Sequence, residues 1–146
     1  MKIQFASDLH LEMTANAEWL QSHLLEVVGD VLILAGDTAY LEKGVPDWFL
    51  DWASASYKQV ILIPGNHELY HFGDVTKRGD SWWWMFRENV GYYYNKVVCI
   101  DYWIYGHSHT NIDAEIEGTR IMANQLGYIP HGEQNNGFRN NRYFEI

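Results

Sequence analysis

Asp8 and His10, then Asp37, then Asn66 with His67, then His107 with His109 are all able to ligate a divalent metal, and each group closely follows a short apolar run. Carboxylate, imidazole and amide-oxygen donors without thiolate suit Mn²⁺, Fe or Zn²⁺ better than Mg²⁺, which prefers an all-oxygen shell. An ion so held acts as a Lewis acid and acidifies bound water. A plainer explanation exists, because Asp, Asn and Gly are common in the turns after strands. It accounts for any one of these residues, but poorly for the fact that four of the seven histidines, His10, His67, His107 and His109, fall at such endings. His23, inside a helical pattern, and His131, in a late loop, are read as ordinary structural side chains.

The elements that must position these groups follow from the apolar pattern. Runs at 3–6, 31–34, 60–63 and 102–105 have the composition of buried strands. Between the first three lie helical stretches at 17–28 and 45–57, the second opening with Pro46 near its first turn. Strand and helix in alternation predict a parallel sheet, and ligand sites in open α/β sheets lie beyond the carboxyl ends of the strands. The intervals from His10 to Asp37 and from Asp37 to Asn66 are each close to the roughly 30 residues of one strand-helix-strand unit. In extended chain, residues two apart point the same way, so Asp8 with His10, and His107 with His109, are each expected to face one cavity. Gly36, Gly65 and Gly106 each precede a candidate ligand, where backbone must turn or come close to a bound group. Farther on, 81–89 reads as a helix capped by Ser81, and 92–100 and 119–125 as strands, which makes the second half antiparallel or mixed. The Asn- and Gly-rich stretch 132–141 reads as a surface loop before a final strand at 142–146.

Asp8-Leu9-His10, Gly36-Asp37, Gly65-Asn66-His67-Glu68 and Gly106-His107-Ser108-His109 resemble, in order, four of the five sequence blocks of the calcineurin-like metallophosphoesterases. The resemblance spans residues 8–109. It implies an α/β fold of mixed sheets in a sandwich flanked by helices, with the metal site at the carboxyl edge of the strands. It also implies that Asp8, His10, Asp37 and His109 hold one metal and that Asp37, Asn66 and His107 hold the other, with Asp37 bridging. By the same resemblance, the two ions would acidify a bridging water and clamp the phosphoryl oxygens so that hydroxide attacks phosphorus in line, and His67 would protonate the leaving oxygen, which makes His67 and Asp37 the expected catalytic residues.

Two features depart from the family pattern. No histidine lies between His71 and His107, where the family supplies a further ligand to the second metal, and the interval is short for the family. The second half is therefore expected to be reduced, with a segment missing near 98–101 and a weak second metal site. Many members also carry an Asp three residues after the bridging one; this chain has Tyr40.

Competing readings have their own signals. A catalytically impaired metal-binding remnant of the same fold would explain the missing histidine. A zinc protease would explain His67-Glu68-Leu69-Tyr70-His71 as H-E-x-x-H, but that motif needs a helix, and Pro64-Gly65 and Gly73 leave little room for one. Trp82, Trp83 and Trp84 point different ways on a helix and have no basic groove beside them, so packing is preferred over base stacking.

Composition bounds the remainder. The 146 residues, 47% hydrophobic and 20% charged, have the size and character of one globular domain spanning 1–146. A formal net charge of −9 argues against nonspecific nucleic-acid binding, although not against a small phosphoester substrate once cations are bound. Cys99 alone forms no internal disulfide, the apolar run near the start is too short for a signal peptide, and no stretch approaches membrane-spanning length. A cytoplasmic protein without a membrane partner is expected. The apolar sheet around 92–105 is expected to seek cover, which makes a homodimer plausible.

Overall fold

The computed structural model describes residues 1–40, 45–69, 101–116 and 118–146. Three strands, β1 (Lys2–Ala6), β2 (Val31–Ala35) and β3 (Gln59–Ile63), are joined through α1 (Thr14–Ser22) and α2 (Asp47–Ser56). After a 3₁₀ turn at His67–Leu69 come β4 (Tyr102–Ile104), β5 (Asp113–Ile116), β6 (Thr119–Met122) and β7 (Tyr143–Glu145). The first sheet has the order β3-β2-β1-β7, parallel except for β7, which runs antiparallel to β1. The second has the order β4-β6-β5, with β6 parallel to β4 and antiparallel to β5. Both sheets are therefore mixed, as expected for a metallophosphoesterase-like fold.

Side-chain alternation divides the core in two. On one face of the first sheet Leu32 and Leu34 meet Leu20, Phe49 and Ala53 of the helices. On the other, Ile3, Phe5 and Phe144 pack with Met122 of the second sheet, and Ile33 and Ile104 close the layer. Truncating a ring as buried as Phe49 in such a layer typically costs about 3–5 kcal/mol. Gln4 is the polar exception on the helical face. Its amide donates to the carbonyls of Glu26 and Asn140 and accepts from the N–H groups of Val28 and Gly29 and the hydroxyl of Tyr57, so burial leaves no polar atom unpaired.

That network explains one departure from the expected boundaries. The first helix was expected over 17–28 but occupies Thr14–Ser22. The backbone of Glu26, Val28 and Gly29 is bonded to Asn140 and Gln4 instead of continuing the helical ladder. β5 carries no apolar run and all its residues are exposed, so pattern gave no sign of it; it forms as the antiparallel partner of β6. The expected strand 119–125 ends at Met122, beyond which Gln125 makes an isolated bridge to Ser7. The expected elements at 81–89 and 92–100, the three tryptophans, His71 and most of the proposed missing-segment position lie outside the described residues. Among the described residues no helix is long and apolar enough to cross a membrane.

Candidate metal centre

The parallel strands β1, β2 and β3 end side by side, and the chain leaving each carries the candidate groups. The loop after β1 stays in register with its neighbours: the N–H groups of Asp8, His10 and Leu11 donate to the carbonyls of Gly36, Asp37 and Thr38. On its other side, Leu126 and Gly127 donate to the carbonyls of Ser7 and Asp8. Leu9 and Leu11 anchor this loop in the helical core while Asp8 and His10 project into the site. Apolar anchors alternate with ligand candidates, as the sequence D-L-H-L suggests.

The backbone route is not the extended one expected from spacing. Among the described residues five non-glycine positions have positive φ: Asp8 at 53°, His10 at 49°, Asp37 at 51°, His107 at 77° and His109 at 48°. All five are candidate metal residues. Left-handed backbone is costly for side-chain-bearing residues and concentrates where a site over-determines it. The pairs Asp8 with His10 and His107 with His109 thus follow their strands in left-handed rather than extended backbone.

Close approach of backbones needs two glycines. A Cβ on Gly65 would lie 2.3 Å from Asp37 Oδ1 and 2.6 Å from its backbone nitrogen, and one on Gly106 would lie 2.5 Å from Asp8 Oδ2. These contacts let the loops after β3 and β4 close onto the two aspartates.

Asp8, His10 and His109 bring ligand atoms within 4.8 Å of one another. The Nε2 atoms of His10 and His109 are 3.2 Å apart, and His109 Nε2 lies 3.4 Å from Asp8 Oδ1. Each imidazole is held from behind by a carboxylate. His10 Nδ1 lies 3.2 Å from Glu12 Oε1, and His109 Nδ1 lies 2.6 Å from Glu133 Oε2, which also accepts from the Tyr128 N–H. Burial opposes ionisation of Glu12, but hydrogen bonds from His10 and His67 outweigh it and hold the carboxyl at about 2. Burial likewise opposes ionisation of Glu133, and bonds from Tyr128 and His109 outweigh it. Ionised carboxylates only accept, so each Nδ1 is the donor and each Nε2 is left to face the site.

This donor set fits a divalent cation. Asp8 Oδ2 is buried with no hydrogen-bond partner. Burial raises the Asp8 pKa; the nearby Ser7 hydroxyl and the His107 N–H oppose the rise, and the charge of Asp37 adds to it. A cation reverses both penalties, and carboxylates behind ligating imidazoles are the usual outer partners of a metal site.

Asp37 is buried at the same edge, its Oδ1 accepting from the His67 N–H at 2.8 Å. The His107 N–H donates to Asp8 Oδ1 at 2.8 Å while its side chain is exposed. Asp37 and His107 belong to neither of the two groups of three metal-ligating side chains that the described residues form. Asn66 is half-buried between Gly65 and His67.

The second group is His10, Glu12 and His67. Glu12 Oε1 receives His67 Nδ1 at 2.8 Å, and Tyr40 stacks on the His67 ring at 5.3 Å between centroids and 19° between planes. Burial lowers the His67 pKa, but the bond to Glu12 and the charges of Asp37, Glu12 and Glu68 raise it further, leaving it above the ordinary value.

Glu68 has a different task from the one H-E-x-x-H would give it. Its buried carboxylate accepts from the N–H groups of Asp37, Thr38, Ala39 and Gly65, binding the loops after β2 and β3 together. A carboxylate so committed is not free to activate water, and His67 begins a three-residue 3₁₀ turn. The protease reading is therefore not supported.

Glu12 and Glu133 were not anticipated as site residues. Glu12 had a signal in its position two residues after His10. Glu133 had none, lying in a stretch that reads as a surface loop.

Two mixed sheets with imidazole and carboxylate groups able to hold a metal gathered at the carboxyl edge of parallel strands define a metallophosphoesterase-type fold. The sequence matches the family model described as calcineurin-like phosphoesterase over residues 1–97, and the chain belongs to that family. Among solved structures it is similar to phosphopantetheinyl hydrolase from Mycobacterium tuberculosis, with a TM-score of 0.69 at 13% identity, covering 98% of this chain and 95% of that one. It is also similar to a Vps29 single mutant from Entamoeba histolytica (TM-score 0.45, 13% identity, 84% of this chain and 73% of that one). A third similar structure is a predicted phosphoesterase from Streptococcus pneumoniae TIGR4 (TM-score 0.42, 14% identity, 85% and 71%). At its identity the first likeness shows the fold alone. No curated protein matches the sequence.

Proposed function

We propose that this chain is a metal-dependent phosphoesterase acting on a small phosphomonoester or phosphodiester. In this reading Asp8, His10, Asp37 and His109 surround one divalent ion, and Asp37, Asn66 and His107 surround a second, weaker one. The supporting observation is the meeting of Asp8, His10 and His109 within 4.8 Å, with a carboxylate behind each imidazole.

When bound, divalent ions supply Lewis-acid charge to phosphoryl oxygens and acidify water. The chain's residues supply the rest. The bond from the His67 N–H to Asp37 Oδ1 fixes the acid relative to the expected bridging carboxylate. His67, with its pKa above the ordinary value, is suited to donate a proton to the leaving oxygen. Asn66, which brings no charge, favours a weaker second site.

The experiment is turnover of an aryl phosphodiester and an aryl phosphomonoester by protein loaded with Mn²⁺. Asp37→Ala is expected to lose metal and turnover together. His67→Asn is expected to keep its metal and lose about 100-fold or more in kcat, within the usual range for a general acid. A loaded wild-type protein with no turnover on either ester would favour the impaired metal-binding remnant.

A further inference from the structure

We propose that Glu12 is the positioning residue for His67: one carboxylate oxygen receives Nδ1 of both His67 and His10, presenting the far face of His67 to the leaving oxygen and tying it to the metal centre. This rests on the phosphoesterase reading above for the step it serves. The two bonds are 2.8 and 3.2 Å, and the Glu12 side chain is 3% exposed, so water competes little for the carboxylate. The imidazoles of His10 and His67 meet edge to face at 4.4 Å between centroids, which lets one oxygen reach both.

Tyr40 gives the arrangement its meaning. It brings no carboxylate to His67. It stacks along the His67 ring instead and restricts its tilt, while Glu12 supplies the charged acceptor from the loop after β1. Because Glu12, His10 and His67 also form a group of three ligand-bearing side chains, the alternative is that Glu12 itself holds metal.

The test compares wild type, Glu12→Ala, His67→Asn and the double variant, all loaded with Mn²⁺, on phosphodiesters with a good leaving group (2,4-dinitrophenol) and a poor one (phenol). Glu12→Ala and His67→Asn should each lower kcat on the phenyl ester by about 100-fold or more, but by less than about tenfold on the dinitrophenyl ester, which needs little protonation. Because Glu12 also holds His10, the rates are compared at Mn²⁺ high enough to fill the weakened site; there KM should hold, and the double variant should be no worse than the poorer single one, because the two residues act as a unit. Equal losses on both esters at saturating Mn²⁺, or recovery of wild-type kcat on the phenyl ester by added Mn²⁺, would overturn the proposal. Glu12→Gln should give the same leaving-group pattern in weaker form if the alanine variant does not fold.

A second arm needs no turnover. In metal-free protein at a pH where His67 is neutral, imidazole ¹⁵N spectra should place its proton on Nδ1 in wild type and shift it towards Nε2 in Glu12→Ala. An unchanged tautomer would overturn the proposal. If wild type proves inactive, the phosphoesterase reading fails while this arm still decides whether Glu12 holds His67.

Discussion

The Nε2 atoms of His10 and His109 face each other at 3.2 Å although 99 positions separate the two residues. With each Nδ1 donating to an ionised carboxylate, the facing nitrogens are both lone-pair donors, which is a stable arrangement when a cation lies within reach of both.

Glu133→Gln should weaken the tighter metal site by about 10- to 100-fold, the usual cost of losing an outer partner of a ligating imidazole. The measurement is Mn²⁺ affinity by competition with a chelator. His131 lies 3.9 Å from the same carboxylate but 68% exposed, and His131→Ala should change affinity little.

Gly65→Ala should destabilise the fold by about 1–3 kcal/mol through overpacking, since the added methyl would meet Asp37. Urea unfolding gives the value. Gly118→Ala is a useful contrast, because its Cβ would meet nothing and only its positive φ opposes the change.

The meeting of Asp8, His10 and His109 was legible in sequence because ligand type and strand ending coincide at these residues. The glycine before Asn66 was legible for the same reason. Glu12 and Glu133 were not, because their partners His67 and His109 lie 55 and 24 positions away and become neighbours only after the loops close. The left-handed turns at Asp8 and His10 were also hidden, since spacing alone treats residues two apart as extended chain. In the fold, apolar runs marked β1, β2 and β3, whereas the end of α1 was set by the Gln4 amide and Asn140, tertiary partners that no local pattern contains.

Glu68→Ala should cost several kcal/mol, because it leaves four backbone N–H donors without their acceptor, each worth about 1–3 kcal/mol when buried and unpaired. The loss should appear in thermal unfolding of the metal-free protein. A stable variant lacking only peptidase activity would instead revive the protease reading.

Asp113 links β5 to Arg120 and to Arg142 beside β7. The hydrogen bond from Arg120 lowers its pKa, burial opposes slightly, and the charges of Arg120 and Arg142 add to the lowering. A depressed carboxylate contributes stability above its unfolded pKa and loses it as pH falls through the folded value. The stability gap between wild type and Asp113→Asn should therefore be present at neutral pH and shrink below the ordinary carboxylate range. With the side chain 31% exposed, solvent screening keeps the gap to about 1 kcal/mol or less per pair. Denaturant titrations at neutral and acid pH supply both values.

The most direct test of the metal centre is calorimetric titration of metal-free protein with Mn²⁺, run on wild type, Asp8→Asn and His109→Ala. Wild type should bind one ion tightly and a second more weakly, and each variant should lose the tight site by more than the roughly 100-fold seen for an outer partner. Binding in both variants equal to that of wild type, or no binding in any of them, would contradict a metal centre built on Asp8, His10 and His109.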